Sequence, residues 1–168
     1  MSERARRRDK TRLILASASP RRLQLLANSG VPFSAVPAGI DERPPIPLSP
    51  LRLAQWAAES KARAVAARYP DAVILAADTV VALDGRAYGK PSDTARARET
   101  LEALSGRTHT VYTAVAVIAA RRPPVSGFSR TFVTMRELSR GVITRYLESG
   151  EPQDKAGAYA IQGEGRRL

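Results

Sequence analysis

The stretch that decides the fold is LILASASPRRLQLL, residues Leu13–Leu26. It begins with an apolar run typical of a strand inside a sheet and continues through a polar turn. Ser19 suits the N-cap of a helix and Pro20 suits its first position, so a helix should begin there. We therefore expect a strand, a turn and a helix in direct succession. The helix residues expected to face the core are Leu23, Leu25 and Leu26.

The turn in this stretch carries two hydroxyl and two guanidinium groups, from Ser17, Ser19, Arg21 and Arg22. Backbone N–H groups at a helix start, together with the positive end of the helix dipole, attract anions. Arginines can also bind phosphate oxygens bidentately. The turn therefore fits a phosphate group. Ordinary helix capping beside solvent-facing arginines accounts for the same residues, and this stretch alone does not separate the two interpretations.

The composition is that of a globular protein. A chain of 168 residues, 43% of them hydrophobic and 26% charged, is long enough for one domain with its own core. No apolar stretch has the length of a membrane span, and the N-terminus lacks the hydrophobic region of a signal peptide. Without cysteine there can be no disulfide and no thiolate metal site. We expect a cytoplasmic protein.

The charge is strongly positive, with 27 Lys and Arg against 16 Asp and Glu and a net charge of +11. Much of the excess lies in residues 1–12, which we expect to form a basic, disordered arm before a single domain of residues 13–168. Only 5% of residues are aromatic and no zinc finger is present, so stacking on nucleic-acid bases is poorly supported. The charge favours polyanions in general, nucleotides included.

A proline-rich connection of residues 37–50 contains Asp41 and Glu42. Connections of this length in compact domains are often functional, so the two acids are candidates for metal or substrate contact. A surface acidic turn is the alternative. The helix that follows, Leu51–Arg68, carries Lys61, whose ammonium group we expect to reach solvent.

The second informative stretch is the apolar run Val73–Ala77, predicted to be a central strand that ends at Asp78. Open α/β sheets bind ligands at the carboxyl ends of their strands. Asp78 could there bind a divalent metal or accept a proton from water, or it could simply cap a turn. The pair Asp84-Gly85 predicts a tight hairpin that returns Lys90 to the same end. A carboxylate and an ammonium group are thus expected at one rim.

The remaining chain alternates strands and helices until Gly150. The lone His109 has no second histidine for a ligand pair, so it should be either structural or exposed. Residues 151–165 have no steady periodicity, and their glycines indicate either close approach to a ligand or ordinary turns. The predicted elements are a strand at Val31–Val36, a helix at Thr94–Leu104, strands at Thr108–Ala119 and Phe128–Met135, and a helix at Arg140–Leu147.

Seven pieces of the chain occur in the order found in one known family. They are LASASPRR (Leu15–Arg22), Asp41-Glu42, ESKA (Glu59–Ala62), AADTVV (Ala76–Val81), GKP (Gly89–Pro91), LSGRTHTVYTAVAV (Leu104–Val117) and SGEPQDKAGAYAIQG (Ser149–Gly163). Together they are distributed over nearly all of residues 13–165. By these pieces the chain resembles the Maf family of nucleoside triphosphate pyrophosphatases.

The resemblance implies an α/β fold with a curved mixed sheet, flanking helices and two lobes around a nucleotide cleft. It also implies hydrolysis of a nucleoside triphosphate to the monophosphate and diphosphate. In the family, the residue matching Asp78 is regarded as the proton acceptor. The residues matching Arg21, Thr79 and Gln162 distinguish the branch that acts on dTTP and UTP from a sister branch that prefers 7-methyl-GTP. At all three positions this chain looks like the dTTP/UTP branch.

The implied chemistry agrees with the residues. Attack of water on the α-phosphorus needs positive charge around the triphosphate. Asp78 with Glu42 can hold Mg²⁺ or Mn²⁺ and orient the water, and Gln162 can both donate and accept at a pyrimidine amide edge. The other expected substrate-binding residues are Ser17, Ser19, Arg21, Arg22, Lys61, Thr79 and Lys90. We expect a nucleotide substrate, no specific nucleic acid and no membrane, and leave a homodimer open.

One departure from the family concerns the C-terminal part. Family members normally continue past the IQG segment through a further strand and a final helix, where this sequence has Arg166, Arg167 and Leu168. Loss of a strand would expose a sheet edge, so we expect weakened or absent turnover. The open alternatives are an inactive member that binds nucleotides or nucleic acid through its charge, a division-linked interaction protein, and a pyrophosphatase for deaminated purine nucleotides.

Overall fold

The computed structural model describes residues 12–168. The predicted disordered arm lies outside these residues, apart from Arg12. The strands are β1 (Leu13–Leu15), β2 (Phe33–Ala35), β3 (Val73–Leu83), β4 (Arg86–Tyr88), β5 (Thr108–Ile118) and β6 (Val125–Thr134). The helices are α1 (Pro20–Ala27), α2 (Pro50–Ala66), α3 (Thr94–Leu104) and α4 (Arg140–Glu148). Three short 3-10 turns follow, at Glu151–Asp154, Ala156–Ala158 and Gly163–Arg167.

The strands form one mixed sheet in the order β2-β1-β3-β5-β6, with β4 paired to β3. β1 is parallel to both of its neighbours, and Leu13 lies opposite Phe33 on one side and Val73 on the other. Strands with neighbours on both sides are usually apolar on both faces, which explains why Ile14 and Leu15 are both buried. The α/β class with a mixed sheet is confirmed. None of the helices in residues 12–168 is long and apolar enough to cross a bilayer.

β3 is longer than the sequence pattern predicts. The expected end at Asp78 is wrong, because the strand continues from Val73 to Leu83 and Asp78 lies near its middle. Backbone hydrogen bonding does not depend on the side chain, and the β-branched Val80 and Val81 beyond the polar pair favour an extended chain. Strand residues therefore both precede and follow Asp78 in the chain.

The Asp84-Gly85 hairpin is confirmed. Both residues have positive φ angles, 51° and 76°, as the primed two-residue turn requires. The antiparallel ladder joins Val81 to Tyr88. Because the strands run in opposite directions, the residues after Tyr88 continue alongside the residues that precede Val81.

The described chain divides into two compact units. The first unit contains residues 12–42, 58–77 and 115–126, and the second contains residues 43–57, 78–114 and 127–168.

In the first unit, β1 and the start of β3 pack their apolar side chains with the second half of α2. Ile14, Val65 and Ile74 are fully buried. α1 contributes less than its sequence predicts, because none of its residues is buried and Leu25 is 63% exposed. Leu23 and Leu26 are three residues apart and share one helix face, whereas Leu25 points away from it. The inward prediction for Leu25 was therefore wrong.

In the second unit, α3 and α4 pack over the end of β3. The Asp93 carboxylate caps α3 by accepting a hydrogen bond from the Arg96 backbone N–H at 2.8 Å. The buried cluster consists of Val81, Leu83, Ala97, Leu101, Leu104, Met135, Leu138, Ile143, Tyr146, Leu147 and Ala158. Leu168 and Tyr159 pack against it while partly exposed.

Candidate active site

The turn between β1 and α1 belongs to the first unit. Ser17 is buried, and its Oγ accepts a hydrogen bond from the Ser19 backbone N–H at 3.1 Å. Ser19 occupies the N-cap position of α1, but its hydroxyl makes no capping bond. Arg21 and Arg22 lie half-buried in the first helical turn. The Ser19 hydroxyl therefore does not cap the helix, although helix capping was one of the two interpretations of this turn.

Lys61 is buried on α2, at 7% exposure, so the expectation that it would reach solvent was wrong. It lies three residues after Ala58 and four before Val65, on the helix face that packs inward. A charge in such a place needs a partner. Lys61 Nζ lies 2.7 Å from Glu42 Oε2, which joins α2 to the proline-rich connection.

Glu42 and Asp78 are the two carboxylates predicted to hold a metal. Within residues 12–168, no group of three or more His, Cys, Asp or Glu side chains is arranged as a metal cluster. Mg²⁺ typically uses one or two protein carboxylates and completes its coordination with water and substrate phosphates. The donor chemistry therefore fits a cation that is also held by a triphosphate, rather than one in a closed protein cage.

Asp78 and Thr79 belong to the second unit and are half-buried in β3. The Thr79 Oγ1 atom lies 3.1 Å from Oγ1 of Thr113 on the adjacent strand β5, within hydrogen-bond distance. This contact fixes the orientation of the Thr79 side chain. Thr113 was not predicted, because nothing in the sequence indicates which residue of β5 lies beside Thr79.

Lys90 follows β4, which is antiparallel to β3 and ends at Tyr88, opposite Val81. It lines a cavity of about 240 Å³ together with Arg86 and Arg96. The Arg86 guanidinium lies 5.2 Å from the centre of the Tyr88 ring. Three cationic side chains around one cavity favour an anionic ligand.

Gln162 lies in the second unit and its side chain is exposed. Its backbone is extended, with φ −109° and ψ 163°, and the neighbouring Ile161 is 77% exposed. Earlier in this segment, the Gly157 N–H donates to the Gly89 carbonyl at 3.1 Å. The exposure of Ile161 beside Gln162 was not predicted, because residues 151–165 have no steady periodicity.

His109 is structural, which settles the choice that the sequence left open. It is 2% exposed, and its Nε2 lies 2.6 Å from the Tyr159 hydroxyl, with the two rings edge to face. Burial lowers the pKa of His109, although the Arg107 backbone acts in the opposite direction. Burial also raises the pKa of Tyr159 to about 12, so the phenol stays protonated at neutral pH.

The buried His109 predicts a pH-dependent stability. Because the folded-state pKa lies below the ordinary value of 6.5, the unfolded chain binds a proton first as the pH falls. The stabilisation is complete above pH 6.5 and is lost as the pH falls from 6.5 through the folded-state pKa. Urea unfolding across this range should show a declining free energy of unfolding, and the decline should be shallower in His109→Gln. An equal slope in both proteins would contradict this explanation.

The predicted site residues thus fall into two sets. The first unit holds the hydroxyls and guanidinium groups of the β1–α1 turn and the ion pair between Glu42 and Lys61. The second unit holds the carboxylate of Asp78, the hydroxyl of Thr79, the ammonium of Lys90 and the exposed amide of Gln162. The first set offers hydroxyl and cationic groups of the kind that bind phosphate, and the second set offers a carboxylate, a hydroxyl, an ammonium group and an amide.

Comparison with known proteins gives the family. A family model described as "Maf-like protein" matches residues 12–168. The chain is 52% identical to the dTTP/UTP pyrophosphatase of Moorella thermoacetica, over 94% of this chain and 82% of that relative. It is 51% identical to the dTTP/UTP pyrophosphatase of Deinococcus radiodurans, over 94% of this chain and 80% of that relative.

Solved structures resemble the fold. The Ham1 protein of Staphylococcus aureus superposes with a TM-score of 0.54 at 14% identity, over 94% of this chain and 93% of that one. The HAM1 protein of Coxiella burnetii superposes with a TM-score of 0.51 at 17% identity, over 77% of this chain and 75% of that one. At these identities the likeness concerns the fold alone.

Proposed function

The chain belongs to the Maf-like protein family, and on that basis we propose that it is a pyrophosphatase hydrolysing dTTP and UTP to the nucleoside monophosphate and diphosphate. The observation that carries the proposal is sequence identity. About half of the aligned residues are identical in two dTTP/UTP pyrophosphatases, and the alignments span about four fifths of each of these relatives. The three residues that distinguish this branch, Arg21, Thr79 and Gln162, are all present.

In the proposed reaction, the oxygen of a water molecule attacks the α-phosphorus. The bond from this phosphorus to the oxygen bridging it to the β-phosphorus breaks, and diphosphate leaves with the electron pair. Asp78 takes the proton from the attacking water, as a general base. Its place inside β3 supports this role, because a strand holds a side chain more rigidly than a loop does.

Cationic side chains neutralise the triphosphate in this proposal. Arg21 and Arg22 bind phosphate oxygens at the start of α1, where the helix dipole adds to their attraction. Lys90 contributes from the cavity it shares with Arg86 and Arg96. Lys61 is buried and has a compensating partner in Glu42, at 2.7 Å.

Carboxylate oxygens of Glu42 and Asp78 would hold Mg²⁺ or Mn²⁺. A divalent cation bound to them would polarise the phosphoryl oxygens and lower the pKa of a coordinated water. Asp78 therefore has one role toward the water and one toward the cation, whereas Glu42 also balances the charge of Lys61.

Such an enzyme removes nucleotides from the cellular pool, a house-cleaning role. We assign it to the cytoplasm, where nucleoside triphosphates are kept and where proteins seldom depend on disulfides. The chain has no cysteine.

Gln162 is proposed to select the pyrimidine base. Its amide offers one donor and one acceptor, matching the N3–H and a carbonyl of uracil or thymine. We expect Gln162→Ala to lower the ratio of kcat/KM for UTP to that for GTP by about tenfold, the worth of one or two hydrogen bonds. Steady-state kinetics with both nucleotides measures the ratio. An unchanged ratio would exclude Gln162 from base recognition.

The proposed activity is tested by diphosphate release from purified protein with Mg²⁺ or Mn²⁺. The substrates are dTTP, UTP, CTP, ITP, GTP and 7-methyl-GTP. Selective hydrolysis of dTTP and UTP supports the proposal. Preference for ITP would assign the protein to deaminated purines. A folded protein that hydrolyses none of them, yet binds DNA or RNA in a salt-sensitive way, would instead be a basic binding protein.

A further inference from the structure

Glu151 lies at the start of a short 3-10 turn, and its carboxylate accepts hydrogen bonds from three groups. Its Oε1 accepts from the Tyr146 hydroxyl at 3.2 Å and from the Gly165 N–H at 3.3 Å. Its Oε2 accepts from the Glu164 N–H at 2.9 Å. One carboxylate thus binds two consecutive backbone amides that lie 13 and 14 residues further along the chain.

Glycines make this close approach sterically feasible. A Cβ atom on Gly163 would lie 2.6 Å from Glu151 Oε2, and a Cβ atom on Gly165 would lie 2.4 Å from the Ala160 carbonyl oxygen. Gly163 also has a φ of +74°, which other residues rarely adopt. A residue without a side chain is therefore needed at Gly163 beside the Glu151 carboxylate and at Gly165 against the Ala160 backbone.

Gln162 lies between the segment bound to Glu151 and Tyr159, which makes a hydrogen bond of its own. On its C-terminal side, the backbone N–H groups of Glu164 and Gly165 donate to the Glu151 carboxylate. On its N-terminal side, Tyr159 is bound to the buried His109. Between the two, Ile161 and Gln162 project into solvent.

We propose that Glu151 is a positioning residue that holds the Gln162 amide in place for base recognition, and so determines the discrimination between pyrimidine and purine nucleotides. This inference rests on the proposed function of Gln162. A carboxylate that accepts two backbone N–H bonds holds a segment more tightly than neutral groups do, because charge-assisted hydrogen bonds are stronger. Recognition through hydrogen bonds requires placement to within a fraction of an ångström.

The test compares Glu151→Gln with Glu102→Gln, a control that removes the same charge from an exposed position on α3. Glutamine keeps the size of the side chain but has only one acceptor oxygen for the three donors. We expect the ratio of kcat/KM for UTP to that for GTP to fall about tenfold in Glu151→Gln and to stay unchanged in Glu102→Gln. Adding Gln162→Ala to Glu151→Gln should lower the ratio no further, because both changes remove the same recognition.

A merely structural role would lower the melting temperature and reduce hydrolysis of UTP and GTP alike, with the ratio unchanged. That result overturns the proposal. If Glu151→Gln does not fold, Glu151→Asp serves instead, because it keeps the charge and withdraws the oxygens by one methylene. The ratio of kcat/KM for UTP to that for GTP should fall in this variant as well.

Binding of the non-hydrolysable α,β-imido analogues of UTP and GTP separates this proposal from the proposed function. If the parent protein hydrolyses neither nucleotide, the proposed pyrophosphatase activity fails. The ratio of the two dissociation constants, measured by calorimetry, still reports on Glu151. A ratio that is the same in the parent protein and in Glu151→Gln would refute the positioning role.

Discussion

Asp78→Asn lowers kcat for UTP hydrolysis by about a thousandfold, the expected effect of removing a general base. Asparagine has nearly the same shape as aspartate and fits the same place in β3, but it cannot accept the proton of the attacking water. It is also a weaker ligand for a divalent cation. Diphosphate release under saturating substrate measures the effect, and circular dichroism verifies that the variant is folded.

The matched control for this variant is Asp84→Asn. Asp84 lies in the hairpin turn and pairs with Arg107 at 2.6 Å, with its side chain 69% exposed. Asparagine tolerates its positive φ, and exposed ion pairs contribute little to stability. Asp84→Asn should therefore keep full activity. Asp78→Asn activity within tenfold of the parent would remove Asp78 from the proton-transfer step.

Gly157→Ala destabilises the fold by about 2–4 kcal/mol, the sum of two separate costs. Gly157 has a φ of +71°, which strains an alanine. Its added Cβ would also lie 2.8 Å from Cγ2 of Val81, a residue of the buried cluster. Urea unfolding measures the change in the free energy of unfolding.

Two further variants separate these costs. Gly150 has the same φ of +71° but nothing within 4 Å of its added Cβ, so Gly150→Ala carries the backbone cost alone, about 1 kcal/mol. Val81→Ala removes the opposing side chain. The double variant of Val81→Ala and Gly157→Ala should therefore lose less stability than the sum of the losses in the two single variants. Equal losses for Gly150→Ala and Gly157→Ala would mean that the contact with Val81 costs nothing.

Local signals in the sequence predicted many of the elements. The Asp84-Gly85 turn and the helix Thr94–Leu104 were both found, because each depends on residues next to one another in the chain. The helix that begins after Ser139 was also found, and the Ser139 hydroxyl accepts a bond from the Val142 N–H. Caps and tight turns are determined within a few residues, so sequence alone is sufficient for them.

The errors at Asp78 and Lys61 concern long-range packing, whereas the error at Leu25 concerns the face of a single helix. Asp78 was expected to end a strand, but Val80 and Val81 continue it, and Val81 pairs with Tyr88 of a second strand. Lys61 was expected in solvent, but its helix face is buried and Glu42, 19 positions earlier, supplies the partner charge. The partner of Lys61 cannot be read from the residues adjacent to it. The β-branched residues after Asp78 favour an extended chain, but they do not by themselves decide whether it continues the same strand.

The same limit applies to the candidate site. The resemblance singled out Asp78, Thr79 and Gln162, but it named none of the residues that hold them. Thr113 is bound to Thr79 from another strand, and Glu151 is bound to the backbone after Gln162. Such supporting contacts depend on the folded arrangement and leave no periodic pattern in the sequence.

The hydrogen bonds between Glu151 and the backbone of residues 164 and 165 also allow local opening of residues 163–165 to be measured without any nucleotide. The amides of Glu164 and Gly165 are bonded to a side chain, whereas the Gly157 amide is bonded to the backbone carbonyl of Gly89 beside β4. A fluctuation that swings Glu151 away exposes the first two amides to hydrogen exchange and leaves the third protected. The difference between the protection factors of the Glu164 and Gly165 amides and that of the Gly157 amide therefore measures how often residues 163–165 separate from the Glu151 carboxylate while the sheet stays folded.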